Sequence, residues 1–155
     1  MPKDPRFRGA AALLASVALL SACAGPGSGA GEDSGDRPVV LTTFTVLADI
    51  TRNVGGDHVR VESITKPGAE IHGYTPTPGD IRRAQGAGLV LDNGLGLEAW
   101  FEQFIEDVEA PRVALTAGID PIDIASDAYA GRPNPHAWMS PQAAETYVAN
   151  IVEAL

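Results

Sequence analysis

The sequence predicts an α/β fold in which helices flank a small parallel sheet. Short β-prone runs alternate with helical periodicities along residues 39–115, a pattern typical of layered α/β domains. The first run, Val39–Phe44, is continuously β-prone, as expected for a strand buried on both faces of a parallel sheet. A strongly amphipathic stretch at 97–108 predicts a helix that packs against the sheet.

The individual elements follow in a regular order. A helical periodicity follows the first strand and stops at Gly55. A further helix is predicted from about Thr77, with Asp80 three positions later as a capping-box-like signal, and Pro111 ends the amphipathic helix. The four strands are predicted at Val39–Phe44, Val59–Ile64, Leu89–Leu91 and Val113–Leu115.

The last segment carries a helical apolar stripe that runs to the final residue. Its members lie at spacings of three and four, namely Ala144, Tyr147, Val148, Ile151, Val152 and Leu155. There is no glycine cap and no basic last turn, the usual signals of a helix end. We therefore expect residues 141–155 to be the start of a longer helix, and the chain to be the first part of a longer protein.

The first 22 residues have the features of a signal peptide. A basic start is followed by an apolar run, Ala10–Leu20, that is too short to span a bilayer. Leu20–Cys23 contains the only cysteine of the chain and resembles the processing site of bacterial lipoproteins, so Cys23 is the predicted lipidation site. The alternative is an ordinary secretory signal with an incidental cysteine. Residues 23–37 are rich in Gly, Ser, Pro, Ala and acidic residues and predict a flexible tether.

The charge balance argues against a nucleic-acid partner. The chain has 11 Lys and Arg against 20 Asp and Glu, and without the leader's Lys3, Arg6, Arg8 and Asp4 the balance is 8 against 19, a net charge of −11. A chain this acidic, without a cluster of basic residues, is not expected to bind nucleic acid. Residues 38–140 are long enough for one domain with a hydrophobic core.

Two histidines lie in similar local settings. His72 stands in the segment IHGYTPTP and His136 in NPHAWMSP. Each is followed two positions later by an aromatic residue and then by a Thr-Pro or Ser-Pro step, which is typical of a helix start. Rigid loops of this kind suit imidazole as a metal ligand. We therefore predict that His72 and His136 converge on one divalent metal ion.

Other candidates are weaker. His58 opens a strand beside a turn, Glu70 is an exposed loop acid or an orienting partner of His72, and Tyr74 and Trp138 either wall the site or pack in the core. The segment 93–96, NGLG, lacks the lysine and spacing of a phosphate loop and predicts a turn between strand and helix. The aromatic residues Trp100, Phe101 and Phe104 are expected to be buried. No catalytic residue is predicted.

Three motifs in order give a family resemblance. The segments 70–81, EIHGYTPTPGDI, 93–101, NGLGLEAWF, and 134–141, NPHAWMSP, resemble the solute-binding lipoproteins of zinc, manganese and iron ABC importers, a family that includes metal-binding adhesins. The resemblance implies two α/β lobes joined by one long helix, with the metal between them. His72 and His136 match its two histidine ligands, and a glutamate and an aspartate are implied in a second lobe. Gly88 and Asp92 depart from the family pattern, which implies an acid at the first position and an aromatic or aliphatic residue at the second.

The resemblance implies a non-enzymatic receptor. It would be a monomer anchored through Cys23 to the outer face of the bacterial cytoplasmic membrane, and would capture Mn²⁺, Zn²⁺ or Fe²⁺ for an importer permease. Residues 119–133 contain no histidine, which weakly favours manganese or iron. Two alternatives stay open: a surface adhesin or interaction lipoprotein without metal transport, and a zinc hydrolase, for which no HExxH or HxxEH motif is present.

Overall fold

The computed structural model describes residues 37–105 and 108–155. Four strands form one parallel sheet: β1 (Val39–Thr42), β2 (Arg60–Ser63), β3 (Leu89–Asp92) and β4 (Arg112–Ala114). Their order across the sheet is β2-β1-β3-β4, and all three pairings are parallel. The predicted fold class is confirmed. The leader, Cys23 and most of the tether lie outside the described residues.

Within the described part of the chain, four α-helices connect or follow the strands. They are α1 (Thr45–Gly55), α2 (Pro78–Gln85), α3 (Ala99–Ile105) and α4 (Pro141–Ala154). The predicted caps are present: the Thr77 hydroxyl accepts from the Asp80 main chain, the Asp80 carboxylate accepts from the Thr77 main chain, and the Ser140 hydroxyl accepts from the main-chain N–H of Ala143. Proline occupies the first turn of both helices, where its missing N–H has no helical partner to lose.

Helix α3 begins two residues later than the periodicity from Leu97 suggests. Gly94, Leu95 and Gly96 all have positive φ angles, of 84°, 56° and 76°. Two glycines are suited to this backbone because they lack a Cβ atom. The turn between β3 and α3 therefore occupies residues that follow helical spacing in sequence, and the segment is a turn as predicted.

The core lies on both faces of the sheet. One face packs against α1 and α4, with Leu47, Tyr147 and Ile151 fully buried. The other face packs Leu41, Ile64 and Phe101 together with α2 and α3. Burial on both sides explains why β1 and residues 89–91 of β3 are apolar or β-branched with little alternation.

Asp92 is a charged exception at the end of β3. Its side chain is fully buried and pairs with the half-exposed Arg112 of β4. Burial raises the pKa of Asp92, and the guanidinium of Arg112 opposes that rise. This ion pair gives a structural reason for the acid at a position where the family resemblance implied an aromatic or aliphatic residue.

Along residues 37–105 and 108–155, no helix combines the length and the apolar character needed to cross a bilayer.

Residues 115–140 connect β4 to α4 with two 3₁₀ turns, Asp127–Tyr129 and Ala137–Met139, and one antiparallel bridge between Asp123 and Pro133. Loops of this kind are where binding residues are most often found.

Candidate metal site

The first histidine loop runs from the end of β2 to the start of α2. His72 is exposed at its tip. The main-chain N–H of His72 donates to the Glu70 carboxylate at 2.8 Å, and the indole N–H of Trp100 on α3 donates to the carbonyl of Ile71 at 2.7 Å. Both bonds therefore hold the peptide unit that joins Ile71 to His72, one through an acid of the loop and the other through a neighbouring helix.

The second histidine loop precedes α4, and its imidazole is half-buried. The Oδ1 atom of Asn134 lies 3.0 Å from the main-chain nitrogen of His136 and 2.8 Å from Nδ1 of its ring. A main-chain N–H can only donate, so this amide atom is an acceptor, and Nδ1 must therefore carry the proton. In the neutral ring the lone pair is then on Nε2.

The two loops bring the imidazoles together although 64 positions separate them in sequence. The Nε2 atoms lie 3.2 Å apart, and the ring centroids are 5.1 Å apart. Both loops follow the carboxyl ends of edge strands, β2 and β4, so they reach inward over the same edge of the sheet. The strand order places β1 and β3 side by side at the centre, which is the switch point where α/β sheets commonly bind ligands.

The spacing fits a shared metal ion. Two nitrogens bound at about 2.0–2.1 Å to one tetrahedral ion lie roughly 3.3 Å apart, close to the observed 3.2 Å. Without an ion, the same contact is a hydrogen bond from Nε2–H of His72 to the lone pair on Nε2 of His136. A metal bound there would accept a lone pair from each Nε2 atom, and the proton on Nε2 of His72 would then be carried by Nδ1 of the same ring.

Electrostatics favour the neutral form of His136. Burial lowers its pKa, and repulsion by His72 lowers it further. Metal ligation needs neutral imidazole, so this environment supports ligation. Along the described residues, no group of three or more His, Cys, Asp or Glu side chains is assembled to hold a metal; the pair offers two nitrogen ligands.

The other sequence candidates have different positions. Trp138 lies with its ring centroid 5.2 Å from that of His136 and 5.0 Å from that of Phe44, so it walls the site and packs in the core. Tyr74 packs on Trp100 and donates to Asp80 at 3.1 Å. Glu70 contacts the main chain of His72 rather than its ring.

His58 is exposed in a 3₁₀ turn just before β2. In a parallel sheet the amino ends of the strands lie at the opposite edge from the carboxyl ends, so this third histidine is separated from the pair. The interpretation of His58 as a residue outside the site agrees with this position.

Sequence reasoning did not single out Asn134, the residue that orients His136. A usable signal was present, because asparagine two positions before a residue commonly accepts a hydrogen bond from its main chain. Two clefts, of about 420 and 730 Å³, meet at His136. The larger one also contains His72 and Glu70, so the pair opens onto space in which further ligands fit.

Comparisons with known proteins place the chain in a family. The profile described as zinc-uptake complex component A, periplasmic, matches residues 40–155. The chain is 49% identical over 152 residues to the iron-binding protein YfeA of Yersinia pestis, with 96% of this chain and 49% of that protein covered. It is 33% identical over 151 residues to the manganese ABC transporter substrate-binding lipoprotein PsaA of Streptococcus anginosus, with 92% and 48% covered.

Solved structures agree. The Mn-bound periplasmic metal-binding protein of Candidatus Liberibacter asiaticus matches with a TM-score of 0.70 and 37% identity, over 76% of this chain and 44% of that one. The chain spans about half the length of the curated relatives it matches. Because the profile matches well over half of its residues, the chain belongs to the family of periplasmic zinc-uptake component A proteins.

Proposed function

We propose that this protein captures a divalent transition metal outside the cytoplasm as the substrate of an ABC importer, and that His72 and His136 bind the ion through their Nε2 atoms. The observation that carries the proposal is the 3.2 Å separation of those two atoms. Relatives named for iron and for manganese, and a similar structure with manganese bound, support a first-row divalent ion such as Mn²⁺, Zn²⁺ or Fe²⁺.

The pair is proposed as half of the coordination shell. A closed site for such an ion usually has about four protein ligands, and two neutral imidazoles bring no negative charge. Carboxylate ligands would complete the shell and balance the ion's charge. We propose residues 38–140 as the metal-binding lobe that supplies the histidines and residues 141–155 as the start of the helix that leads to a second lobe.

The proposed setting is a receptor that delivers its ion to a membrane permease. Several curated relatives are named substrate-binding lipoproteins of metal ABC transporters, which supports an extracytoplasmic location. Lipid attachment through Cys23 to the outer face of the cytoplasmic membrane, and a monomeric state, are parts of the proposal.

Relatives in this family are substrate-binding proteins, and we propose that this chain likewise is not an enzyme. A zinc hydrolase needs a metal-bound water and a general base beside it. The contacts described around the histidine pair include no carboxylate bonded to either ring, since Glu70 binds the main chain.

Calorimetric titration of the chain with Zn²⁺ and Mn²⁺ tests the proposal. His72→Ala and His136→Ala should each abolish most of the metal uptake. His58→Ala is the matched control, because it removes an exposed histidine at the other edge of the sheet, and it should bind as the unmodified chain does. Equal binding by all three variants, or no uptake by the unmodified chain, would contradict the proposal.

A further inference from the structure

Asn93 is a fully buried polar residue directly after β3. Its main-chain N–H donates to the Glu98 carboxylate at 2.8 Å, and its carbonyl accepts from the Thr116 hydroxyl at 2.6 Å. The side-chain amide donates to the carbonyls of Gly94 at 3.0 Å and Pro135 at 2.9 Å. An asparagine buried in this way is retained only where its polar atoms find partners, and here each of them has one.

The bond to Pro135 reaches the residue next to His136. The two partners are 42 positions apart, and the amide comes from the end of a central strand, whereas the carbonyl belongs to the long connection between β4 and α4. Hydrogen bonds within that connection, such as Ile124 to Arg132 and Asn134 to Ile122, fold it on itself. The bond from Asn93 attaches this connection to the end of β3, at the residue directly before His136.

Tyr147 determines which way the amide of Asn93 faces. Its hydroxyl donates to Oδ1 of Asn93 at 2.6 Å, and burial raises the pKa of Tyr147, so the hydroxyl keeps its proton. An amide whose oxygen accepts from Tyr147 must turn its NH₂ group the other way, which is toward Pro135. Helix α4 is therefore connected to the second histidine loop through one buried amide.

We propose that Asn93, oriented by Tyr147, is a positioning residue: its hydrogen bond holds the Pro135 carbonyl in the place that makes the His136 ring face His72. This inference rests on the proposed metal site and adds a residue to it. Asn134 sets the tautomer of the ring, whereas Asn93 sets the place of the loop. Partners behind metal ligands commonly affect metal affinity although they touch no metal.

The test uses Asn93→Asp in the full chain. Aspartate keeps an acceptor for Tyr147 but removes the amide donor to Pro135, together with the short-range bond to Gly94. Thr116→Val is the matched control, because it removes a buried hydrogen bond to the main chain of the same asparagine and leaves the amide untouched. Tyr147→Phe is the second variant, which leaves the amide without its orienting partner.

Two measurements are made on each variant. NMR of the metal-free chain records the nuclear Overhauser effect between the ring protons of His72 and His136, and titration with Zn²⁺ gives the affinity. We expect Asn93→Asp to lose the ring-to-ring signal and to weaken Zn²⁺ binding about tenfold or more, and Tyr147→Phe to show a smaller loss of both. Thr116→Val should keep both even where its melting temperature falls.

The proposal is overturned if Asn93→Asp keeps the ring contact, or if Thr116→Val loses it to the same extent. Should Asn93→Asp not fold, Tyr147→Phe decides: unchanged ring contact and affinity would refute the role of the amide. Because the ring contact is measured without metal, it tests Asn93 even if the unmodified chain takes up no Zn²⁺, an outcome that would refute the proposed function alone.

Discussion

Glu98 makes the stability of this domain depend on pH in a direction opposite to that of most carboxylates. Its side chain is 3% exposed, and its Oε1 atom accepts from the Thr43 hydroxyl at 2.7 Å and the main-chain N–H of Asn93 at 2.8 Å. Burial raises the pKa of Glu98 from 4.5 to about 6, although these two hydrogen bonds oppose the rise. Desolvation therefore changes the pKa of Glu98 more than these two hydrogen bonds do.

The size of the effect follows from the two pKa values. The folded state holds the proton of Glu98 more tightly than the unfolded state. The contribution of Glu98 to the free energy of unfolding is therefore greatest below pH 4.5 and decreases as the pH rises through about 6. The difference between these values corresponds to about 2 kcal/mol. Glutamine in place of Glu98 has the same shape and an oxygen for the same two donors, but no charge to bury.

The assay is urea unfolding at several pH values between about 4 and 8, a range that brackets the two pKa values. Relative to the unmodified chain, Glu98→Gln should gain about 2 kcal/mol of unfolding free energy between the acidic and the neutral end. Glu145→Gln is the matched control, because Glu145 is an exposed carboxylate of α4, and its difference from the unmodified chain should stay nearly constant. If Glu98→Gln and the unmodified chain follow parallel curves through pH 4.5 to 7, burial of this carboxylate does not govern the pH dependence.

Three further predictions concern the site and the sheet. Asn134→Ala should weaken Zn²⁺ binding about tenfold, because no acceptor then fixes the tautomer of His136. Asn134→Asp can still accept from Nδ1 of His136 and should bind Zn²⁺ nearly normally. Equal calorimetric affinities for the two variants would argue against the role of Asn134 in setting the tautomer. Zn²⁺ affinity should fall in calorimetry as the pH is lowered through about 6.5, because protons compete with the metal for imidazole nitrogen. Burial lowers the pKa of His136, so an NMR titration should place its midpoint below the ordinary value for histidine; a midpoint above that value would contradict the burial argument. Arg112→Ala leaves Asp92 buried without its cation and should lower the free energy of urea unfolding by about 3 kcal/mol. A decrease of less than about 1 kcal/mol would mean that the ion pair contributes no more than an exposed surface pair.

Local sequence signals were sufficient for most of the fold. The four strands and the caps of α2 and α4 follow from patterns within ten or so residues, because strand burial and helix capping are short-range properties. The twin loops around His72 and His136 could be recognised for the same reason, since each precedes a Pro-initiated helix. The strand bounds differ from the predicted ones by one or two residues. The later start of α3 reflects the positive φ angles of residues 94–96, which apolar spacing does not reveal.

The sequence by itself identified the two imidazoles and the proline and hydroxyl-cap residues that follow them, because helix starts of this kind are encoded locally. The tertiary structure decided that edge strands β2 and β4 carry the loops to one edge of the sheet and leave the two Nε2 atoms 3.2 Å apart. It also decided the partners behind them, Trp100 on the Ile71 carbonyl and Asn93 on the Pro135 carbonyl. These bonds join residues 29 and 42 positions apart, and such pairings depend on strand order, which no local pattern contains.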